Sequence, residues 1–540
     1  MPSPTAVPLP DEAELLRLLR TGPVHVVAAG GAGMSAVVRL LLDDGVPVTG
    51  SDSRDSGTLR ALAQRGASVH VGHDASHLDG AVLVVVSTAV RGDNPEVAAA
   101  LAAGIPVVHR SVALAGLMTG HRVVAVAGTH GKTTTTSMTA VAARAAGLDP
   151  SYAIGGDLVL DGVNARRGRD PVFVAEADES DGSFLAYRPD VAVVTNVEAD
   201  HLDHYGDVEA VHAAFARFVA GVRPGGLLVV GADDRGARAL VRGLQRGPDG
   251  PRVVSVGESA DADVRVVVED PVDLADLADL ADLADLADLA DDPSKPADHT
   301  DPSGPTGLTD PSDPSDPAGV DGRGDLRDGV LATARLVVPA PLPGQGTWQL
   351  RLRVPGTHNI ADAALAFTAA VVGLGLDPGR VVEGLDGFTG ARRRFEPVGE
   401  AGGVRVVDDY AHHPTEVAAT LAAARTVVGR GRVHVLFQPH LYSRTRLFAE
   451  GFGTALRAAD TVVVLDVYGA REDPEPGVDG ALVADLVPGG RYLPDRDAAV
   501  ALLAGAARPG DLVLTVGAGD VTELGPRVLE ALSTAGRDHT

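Results

Sequence analysis

The sequence predicts an α/β protein of three domains. Three observations support this fold class. The chain of 540 residues is too long for one hydrophobic core, because domains rarely exceed about 200 residues. Short apolar runs alternate with alanine-rich segments, which is typical of parallel strands covered by helices on both faces. Several of these runs end in a glycine turn that opens a helix.

Ten short apolar runs are the expected strands, and the segments between them are the expected helices. The runs lie at residues 24–28, 82–86, 123–127, 172–175, 191–194, 227–230, 404–407, 433–437, 461–465 and 512–516. Glycine turns follow three of them, at Gly30, Gly128 and Gly517. Because open parallel sheets bind ligands beyond the carboxyl ends of their strands, we expect the residues after these runs to form sites.

The first glycine turn approximates the fingerprint of dinucleotide-binding folds. It comprises Gly30, Gly31, Ala32, Gly33, Met34 and Ser35, with Asp52 twenty-one residues after Gly31. One interpretation is an NAD-dependent oxidoreductase, which predicts tight NAD binding without consumption of ATP. The same turn can bind any pyrophosphate, including that of a nucleotide sugar, which is the second interpretation.

Residues 123–136, VVAVAGTHGKTTTT, predict a strand, a phosphate-binding loop and a helix. The loop is a shortened P-loop, since Val126 stands where the common pattern has its first glycine. Lys132 is expected to reach the terminal phosphates of a nucleoside triphosphate, and the Thr133 hydroxyl to contact a phosphate-bound Mg²⁺ (or Mn²⁺). The other expected triphosphate contacts of the loop are Gly128, Thr129, His130, Gly131 and Thr134.

Carboxylates follow the next two predicted strands. Glu176 is the first residue past its strand and is the best candidate for a metal ligand beside triphosphate. His201 is a candidate for a second metal ligand or for orienting a substrate carboxylate, and a solvated turn histidine is the alternative. We expect the acidic residues further along these loops to include solvent-exposed side chains without a role in the site.

The last third of the chain carries two clusters of aromatic, imidazole and guanidinium groups after its strands. Tyr410 and His412 belong to the first cluster, and His440 and Arg444 belong to the second. At neighbouring strand ends such groups can bind a polar substrate in a cleft. Upstream, Arg394 closes a run of three arginines that can bring positive charge to a transferring phosphoryl group, although a solvated basic turn is an alternative.

Polar breaks near Gly120 and Gly387 divide the chain. We expect a Rossmann-like N-terminal domain at residues 1–119 and a central domain with a P-loop ATPase-type parallel sheet at residues 120–387. A Rossmann-like C-terminal domain is expected at residues 388–540.

The central domain contains a segment of unusual composition. Residues 273–291 repeat Asp-Leu-Ala, and residues 293–317 are rich in Asp, Pro, Ser and Gly. A period of three forms no continuous helix face, so we expect a disordered surface insertion at about 270–328. Residues 269–328 hold −15 of the net charge of −27. Deletion of residues 271–322 is expected to leave catalysis nearly intact.

Composition excludes several function classes. The net charge of −27 argues against general binding of nucleic acid or of anionic membranes. The absence of cysteine excludes disulfides, thiolate metal sites and a thiol nucleophile. The N-terminus lacks a basic and apolar leader, and no apolar run is long enough to span a bilayer. We expect a cytoplasmic enzyme without membrane insertion, as a monomer or weak homodimer.

Taken in order, these motifs resemble those of the Mur ligase family over nearly the whole chain outside the acidic segment. The motifs are AAGGAGMSA (28–36), AGTHGKTTTT (127–136), EADESDGSF (176–184), TNVEADHLDHY (195–205), GTHNIADAALA (356–366), RRF (393–395), DDYAHHPTEV (408–417) and FQPHLYSRT (437–445). EADESD and DDYAHHPTE resemble the member that adds the first amino acid.

The resemblance implies that ATP activates the carboxylate of UDP-N-acetylmuramate as an acyl phosphate, which L-alanine then captures. The N-terminal domain would bind the uridine diphosphate, the central domain ATP, and the C-terminal domain would close over both. Lys132, Glu176, His201, Arg394 and His412 are the implied catalytic residues, with Thr133, Glu176 and His201 as metal ligands. Asn359 is implied to contact adenine, Arg394 phosphate, Asp409 ribose, and Tyr410, His412, His440 and Arg444 the amino-acid side of the cleft.

Two positions depart from the family pattern. Asp362 stands where a second asparagine is common, which removes one expected amide beside adenine, and Leu441 stands where arginine is frequent. His201 and His412 both remain candidates for accepting the proton of the amine. Two interpretations besides the oxidoreductase stay open: a sister ligase that attaches a preformed peptide, and a nucleotide-binding scaffold without turnover.

Overall fold

The computed structural model describes residues 10–244, 250–269, 329–470 and 472–535. These residues form three sheets with helices on their faces, so the predicted α/β fold class is confirmed. All ten apolar runs are strands. The acidic segment expected at about 270–328 lies outside the described residues. No helix in the described ranges is both long enough and apolar enough to cross a membrane.

The N-terminal sheet has five parallel strands in the order β3-β2-β1-β4-β5. Its elements are α1 (Glu12–Thr21), β1 (Val24–Val27), α2 (Ala32–Asp43), β2 (Val48–Asp52), α3 (Gly57–Gln64), β3 (Ser68–Val71), β4 (Leu83–Val86), α4 (Pro95–Ala103), β5 (Val107–His109) and α5 (Arg110–Met118). The strand order reverses between β1 and β4. The glycine turn after β1 therefore lies at the switch point where such sheets bind ligands.

The central sheet has ten strands in the order β15-β14-β13-β12-β11-β10-β6-β9-β7-β8. Its strands and helices are β6 (Arg122–Ala127), α6 (Lys132–Ala145), β7 (Ser151–Leu158), β8 (Val163–Arg166), β9 (Val172–Glu176), β10 (Val191–Val194), α7 (Leu202–Tyr205), α8 (Val208–Ala220), β11 (Leu227–Gly231), α9 (Arg235–Gly243), β12 (Arg252–Gly257), β13 (Val264–Glu269), β14 (Ala332–Val338), β15 (Gly346–Leu352), α10 (Thr357–Thr368, continued by a π-helical turn at Ala369–Gly373) and α11 (Pro378–Asp386).

The prediction of a parallel central sheet is only partly right, because the sheet is mixed. Strands β7, β9, β6, β10, β11, β12 and β13 run parallel, whereas β8, β14 and β15 pair antiparallel with their neighbours. Buried and exposed residues alternate near the end of β14 (Ala332–Val338), as expected for a hairpin strand with one solvated face. Such alternation lacks the continuous apolar run by which the parallel strands were recognised.

The C-terminal sheet has the order β16-β17-β21-β18-β19-β20 and is parallel except at its edge strand β16. Its elements are β16 (Glu396–Ala401), β17 (Val404–Asp409), α12 (Pro414–Val428), β18 (Val433–Phe437), α13 (Tyr442–Leu456), β19 (Thr461–Val464), α14 (Ala481–Ala484), β20 (Arg491–Tyr492), α15 (Arg496–Ala506), β21 (Leu512–Val516) and α16 (Leu524–Ala535). The carboxyl ends of β17 and β18 face the corresponding ends of β6, β9 and β10, as the contacts below show.

Candidate active site

The phosphate loop joins β6 to α6 and lies against the turn that follows β10. Gly128 has a φ of 139°, and a Cβ there would lie 1.9 Å from Thr195 Oγ1, so glycine is required. The N–H of His130 donates to Asn196 Oδ1 at 2.8 Å, which fixes the middle of the loop. Helix α6 begins after Gly131 without a side-chain cap, so the N–H groups of its first turn are available to an anion.

The ammonium group of Lys132 lies inside this loop. Its Nζ donates to the carbonyls of Gly128 and Thr129 at 2.7 and 3.0 Å and lies 2.9 Å from Glu179 Oε1. Burial by itself lowers the pKa of Lys132, but the carboxylates of Glu179 and Asp178 outweigh burial and raise it. Lys132 is therefore a charged group at the point where phosphates would bind.

Two oxygen donors suited to a divalent cation stand together at the start of α6. Thr133 Oγ1 donates to Glu176 Oε2 at 3.0 Å, and the N–H of Gly155 donates to the same carboxylate oxygen at 2.6 Å. Arg394 Nη2 lies 3.4 Å from Thr133 Oγ1 and brings a guanidinium from the C-terminal part of the chain. Thr134, the next residue of the helix, is buried. A hydroxyl and a carboxylate are ligands that Mg²⁺ accepts.

His201 stands at the junction of the phosphate loop and the C-terminal cluster. Its Nε2 lies 3.6 Å from Glu179 Oε1 and 3.5 Å from Asp200 Oδ2. Burial, supported by Arg444 and Lys132, lowers the pKa of His201, so the imidazole is neutral near pH 7. Among the described residues, His201 contacts the carboxylate of Glu179 and not that of Glu176. Its role as a metal ligand beside Glu176 therefore stays a proposal.

Four side chains from the two C-terminal clusters form one group. The Tyr410 and His412 rings are 5.1 Å apart, and the His412 and His440 rings are 5.9 Å apart. Arg444 Nη1 lies 3.5 Å from His440 Nδ1. Burial lowers the pKa of His412 to about 3. Because His412 Nδ1 lies 3.0 Å from the carbonyl of Tyr410, we assign the proton to Nδ1, which leaves Nε2 as a hydrogen-bond acceptor.

This group is connected to the turn after β10 and to the start of α6. Arg444 Nη2 donates to Asp200 Oδ1 at 2.8 Å, and both side chains are 5% exposed. The Arg394 guanidinium lies 5.2 Å from the centre of the Tyr410 ring, so one arginine contacts both Tyr410 and Thr133. Leu441, which replaces the frequent arginine, is buried, and Arg444 supplies the guanidinium that lies beside His440.

The expected adenine side is built on the start of α10. Asn359 Nδ2 donates to the carbonyl of Pro355 at 2.6 Å. Asp362 lies under the phosphate loop: Thr135 Oγ1 donates to Asp362 Oδ1 at 2.9 Å, and a Cβ on Gly131 would lie 2.4 Å from the same oxygen. Burial raises the pKa of Asp362 to about 7. The departure from asparagine therefore places a titratable carboxyl beneath the phosphate loop.

Asp409 is buried at the end of β17. Its two carboxylate oxygens accept the N–H groups of Phe395 and Ala411, each at 2.8 Å, and burial raises its pKa to about 6. These bonds fix the turn that carries Arg394 beside the turn that carries Tyr410. Asp409 therefore has a structural role, and the ribose contact expected of it remains a proposal.

The N-terminal glycine turn is closed by Asp52. The N–H of Gly30 donates to Asp52 Oδ2 at 2.9 Å, and a Cβ on Gly30 would lie 2.8 Å from the same oxygen. Helix α2 begins at Ala32 with Gly31 as its uncapped N-terminal residue, and the side chains of Met34 and Ser35 are buried behind it. A Cβ on Gly33 would approach Arg110 Nη1 at 3.0 Å, so this helix end faces a guanidinium and the central sheet.

Sequence reasoning missed several residues of the site. The acidic residues in the loops after β9 and β10 were expected to include solvated side chains and none beyond Glu176 was singled out, but Glu179 and Asp200 are 2% and 5% exposed and pair with Lys132 and Arg444. Arg110 was not singled out, although its Nη2 donates to Asp178 Oδ2 at 2.7 Å and joins the N-terminal sheet to the site. Glu179, Asp200 and Arg110 all follow the end of a strand, and this shared position is the signal in the sequence by which they could have been found.

The backbone of the turns around the candidate site is also strained. Positive φ values occur at four non-glycine residues in the turns after β10, before β16 and after β18, which is typical of functional sites. They are His201 (54°), Arg393 (59°), Phe395 (50°) and Leu441 (65°).

Comparisons with known proteins agree with this arrangement. Three family models match: the catalytic domain of the Mur ligase family at residues 23–122, the Mur ligase middle domain at 126–270, and the glutamate ligase domain of Mur ligases at 393–519.

Individual proteins match over almost the entire chain. The UDP-N-acetylmuramate–L-alanine ligase of Kineococcus radiotolerans is 53% identical over 97% of this chain and 99% of its own. The protein of the same name from Paenarthrobacter aurescens is 49% identical over 95% and 97%. The crystal structure of the UDP-N-acetylmuramate-alanine ligase of Thermotoga maritima has a TM-score of 0.70 at 26% identity, covering 95% of this chain and 100% of that one.

Proposed function

Because the chain belongs to the Mur ligase family, whose members depend on ATP, we propose that it joins L-alanine to the carboxylate of UDP-N-acetylmuramate. The reaction supplies a peptidoglycan precursor and takes place in the cytoplasm. The structural observation that carries this proposal is a continuous series of contacts from the phosphate loop to the C-terminal cluster. Thr133 contacts Arg394, Arg394 lies over Tyr410, and the rings of His412 and His440 follow.

The first step joins two anions, so it requires positive charge. The substrate carboxylate attacks the γ-phosphorus of ATP, the bond to the bridging oxygen breaks, and ADP leaves an acyl phosphate behind. We infer that Lys132 and Arg394 neutralise the phosphoryl oxygens, which their contacts at the phosphate loop support. We assign Mg²⁺ to Thr133 and Glu176, with His201 as a further ligand, and its contribution when bound is to offset phosphate charge.

The second step needs an uncharged amine. The nitrogen of L-alanine attacks the acyl carbon, the tetrahedral intermediate then expels inorganic phosphate, and the proton that the amine loses leaves with this phosphate. His412 Nε2, which is left as an acceptor, is placed to receive an N–H of the amine and so direct its lone pair. Arg444 and His440 lie beside it to bind the alanine carboxylate. No protein nucleophile is required.

The remaining assignments concern the two nucleotide moieties. We propose that the turn from Gly30 to Ser35 and Asp52 binds the uridine diphosphate moiety, and that Asn359 and Asp409 contact adenosine. The domain division at residues 1–119, 120–387 and 388–540 remains our proposal. Asp52 already accepts the Gly30 N–H, so it is less available to accept a ribose hydroxyl of NAD. This favours the nucleotide-sugar interpretation.

Phosphate release is the direct test. The full chain is incubated with ATP, Mg²⁺ and UDP-N-acetylmuramate, and L-alanine is compared with glycine, L-serine and a tripeptide. L-alanine should give the highest kcat/KM, with glycine and serine lower by roughly 10- to 200-fold, because one methyl or hydroxyl group discriminates by about 1–3 kcal/mol. Faster release with the tripeptide would assign the chain to the peptide-adding ligases instead. ATP binding without turnover under every condition would identify a scaffold.

A further inference from the structure

A second group of metal-ligand side chains includes one residue of the phosphate loop. It consists of His130, Glu198 and His413, and we call it the interdomain triad. One ligand atom of each residue lies within 4.8 Å of the other two. Within the described ranges, this is the one group of three or more histidines and carboxylates that meets this distance.

The triad is buried, and its imidazoles lie beside carboxylates. His130 and His413 are 9% and 5% exposed, and Nε2 of His413 has no hydrogen-bond partner among the described residues. The carboxylates of Glu198 and Glu416 raise the pKa of His130 to about 9, so a metal that binds this imidazole displaces a proton from it. His130 Nε2 lies 3.6 Å from Glu198 Oε2. In a tetrahedral zinc site, bonds of 2.0–2.1 Å place the donors about 3.4 Å apart, so this pair already has nearly the required separation.

Neighbouring groups orient the triad as the outer residues of metal sites do. Glu416 Oε1 lies 3.2 Å from His130 Nδ1, which leaves His130 Nε2 to face a metal. Thr415 Oγ1 donates to Glu198 Oε2 at 2.8 Å. His413 Nδ1 accepts a long 3.3 Å bond from the N–H of Thr415, and metal binding through Nε2 would exchange this bond for a proton on Nδ1.

We propose that the interdomain triad binds a zinc-type divalent cation through His130, Glu198 and His413. Two imidazoles and one carboxylate favour Zn²⁺ over Mg²⁺, whose preferred ligands are oxygens, and a fourth position is left for water. The site is separate from the Mg²⁺ ligands assigned at Thr133 and Glu176. The three ligands come from the phosphate loop, the turn after β10 and the start of α12. A bound metal therefore ties the loop to the C-terminal sheet and inhibits turnover.

The test uses the full chain and zinc chloride in the presence of excess Mg²⁺, which occupies the oxygen-rich site. Zinc affinity is measured by calorimetry for the wild type, His413→Asn and Glu198→Gln. Asparagine is chosen because it is itself a good helix N-cap, and glutamine retains an acceptor for Thr415. Each variant should bind zinc at least ten-fold more weakly. His212→Asn, a change on the partly exposed helix α8, is the matched control and should bind as the wild type does.

A second readout identifies the ligands. X-ray absorption of the zinc-loaded wild type should show two imidazoles, and His413→Asn should show fewer. Zinc should inhibit the wild type at concentrations that leave His413→Asn active. Unchanged zinc affinity in both variants, or absorption without imidazole, would overturn the proposal. Turnover without zinc is measured separately. Absence of zinc binding would therefore not count against the proposed ligase reaction, and absence of ligase turnover would not count against the zinc site.

Discussion

Replacement of Asp362 by asparagine is expected to stabilise the central domain as the pH rises. The side chain is 6% exposed, accepts the Thr135 hydroxyl at 2.9 Å and lies against Gly131. Asparagine has nearly the same shape, retains an oxygen for Thr135 and carries no ionisable group. The substitution therefore removes a buried titration while preserving the packing around it.

The magnitude follows from the shifted pKa. Burial raises the pKa of Asp362 to about 7 from an ordinary value of 3.8, which costs about 4 kcal/mol of folding free energy when the carboxyl is ionised. Below about pH 3 both the folded and unfolded chains hold the proton, and the cost is absent. As the pH rises towards 7, the unfolded chain releases the proton first, so stability falls. Between pH 5 and pH 8 the wild type should lose about 3 kcal/mol relative to Asp362→Asn.

The chain provides its own probe for this measurement. Trp348, its single tryptophan, lies in β15 of the central sheet, and its ring is 6.4 Å from that of Phe367 on the helix that carries Asp362. Urea unfolding followed by Trp348 fluorescence at pH 5 and pH 8 therefore reports on the central domain. Asp93→Asn, which removes an exposed carboxylate from the N-terminal domain, is the control.

A functional consequence accompanies the change in stability. Ionised Asp362 places a negative charge beneath the phosphate loop, so the KM for ATP of the wild type should rise above pH 7, and that of Asp362→Asn should rise less. If the free energies of unfolding of wild type and variant differ by the same amount at pH 5 and pH 8, Asp362 is not held in a desolvated site, and the reasoning from its burial is refuted.

Four further changes test the proposed site. Lys132→Ala should lower ligation by about 10³-fold while UDP-N-acetylmuramate binding, followed by calorimetry, stays within about two-fold; robust ligation would contradict its role. Arg394→Ala should lower kcat by about 10²-fold, whereas the exposed neighbour changed in Arg392→Ala should not, and equal effects would argue for a structural cause. His412→Asn should raise the KM for L-alanine more than that for ATP in initial-rate assays, and the opposite order would place it on the nucleotide side. Deletion of residues 271–322 should retain at least about half of kcat in a phosphate-release assay, since β13 and β14 pair directly and need only a short connection; a folded but inactive deletion protein would show that the segment acts in catalysis.

The elements that could be predicted are those encoded by neighbouring residues. Continuous apolar runs identified ten strands, because parallel strands are covered on both faces and need no polar residues. The phosphate loop could be predicted from Gly128 to Thr133, since its glycines and lysine act through local backbone geometry. Strands with one solvated face, such as β14, carry a weaker pattern and were missed.

The sequence by itself determined the order of strands and loops and the chemistry available at each strand end. Only the tertiary structure decided which carboxylates are buried against which cations. Asp200 meets Arg444 across 244 positions of the chain, and Thr135 meets Asp362 across 227. Such pairs depend on how the sheets pack together, and burial then decides whether a carboxylate is a solvated surface group or, as with Asp362, a titrating group beneath a phosphate loop.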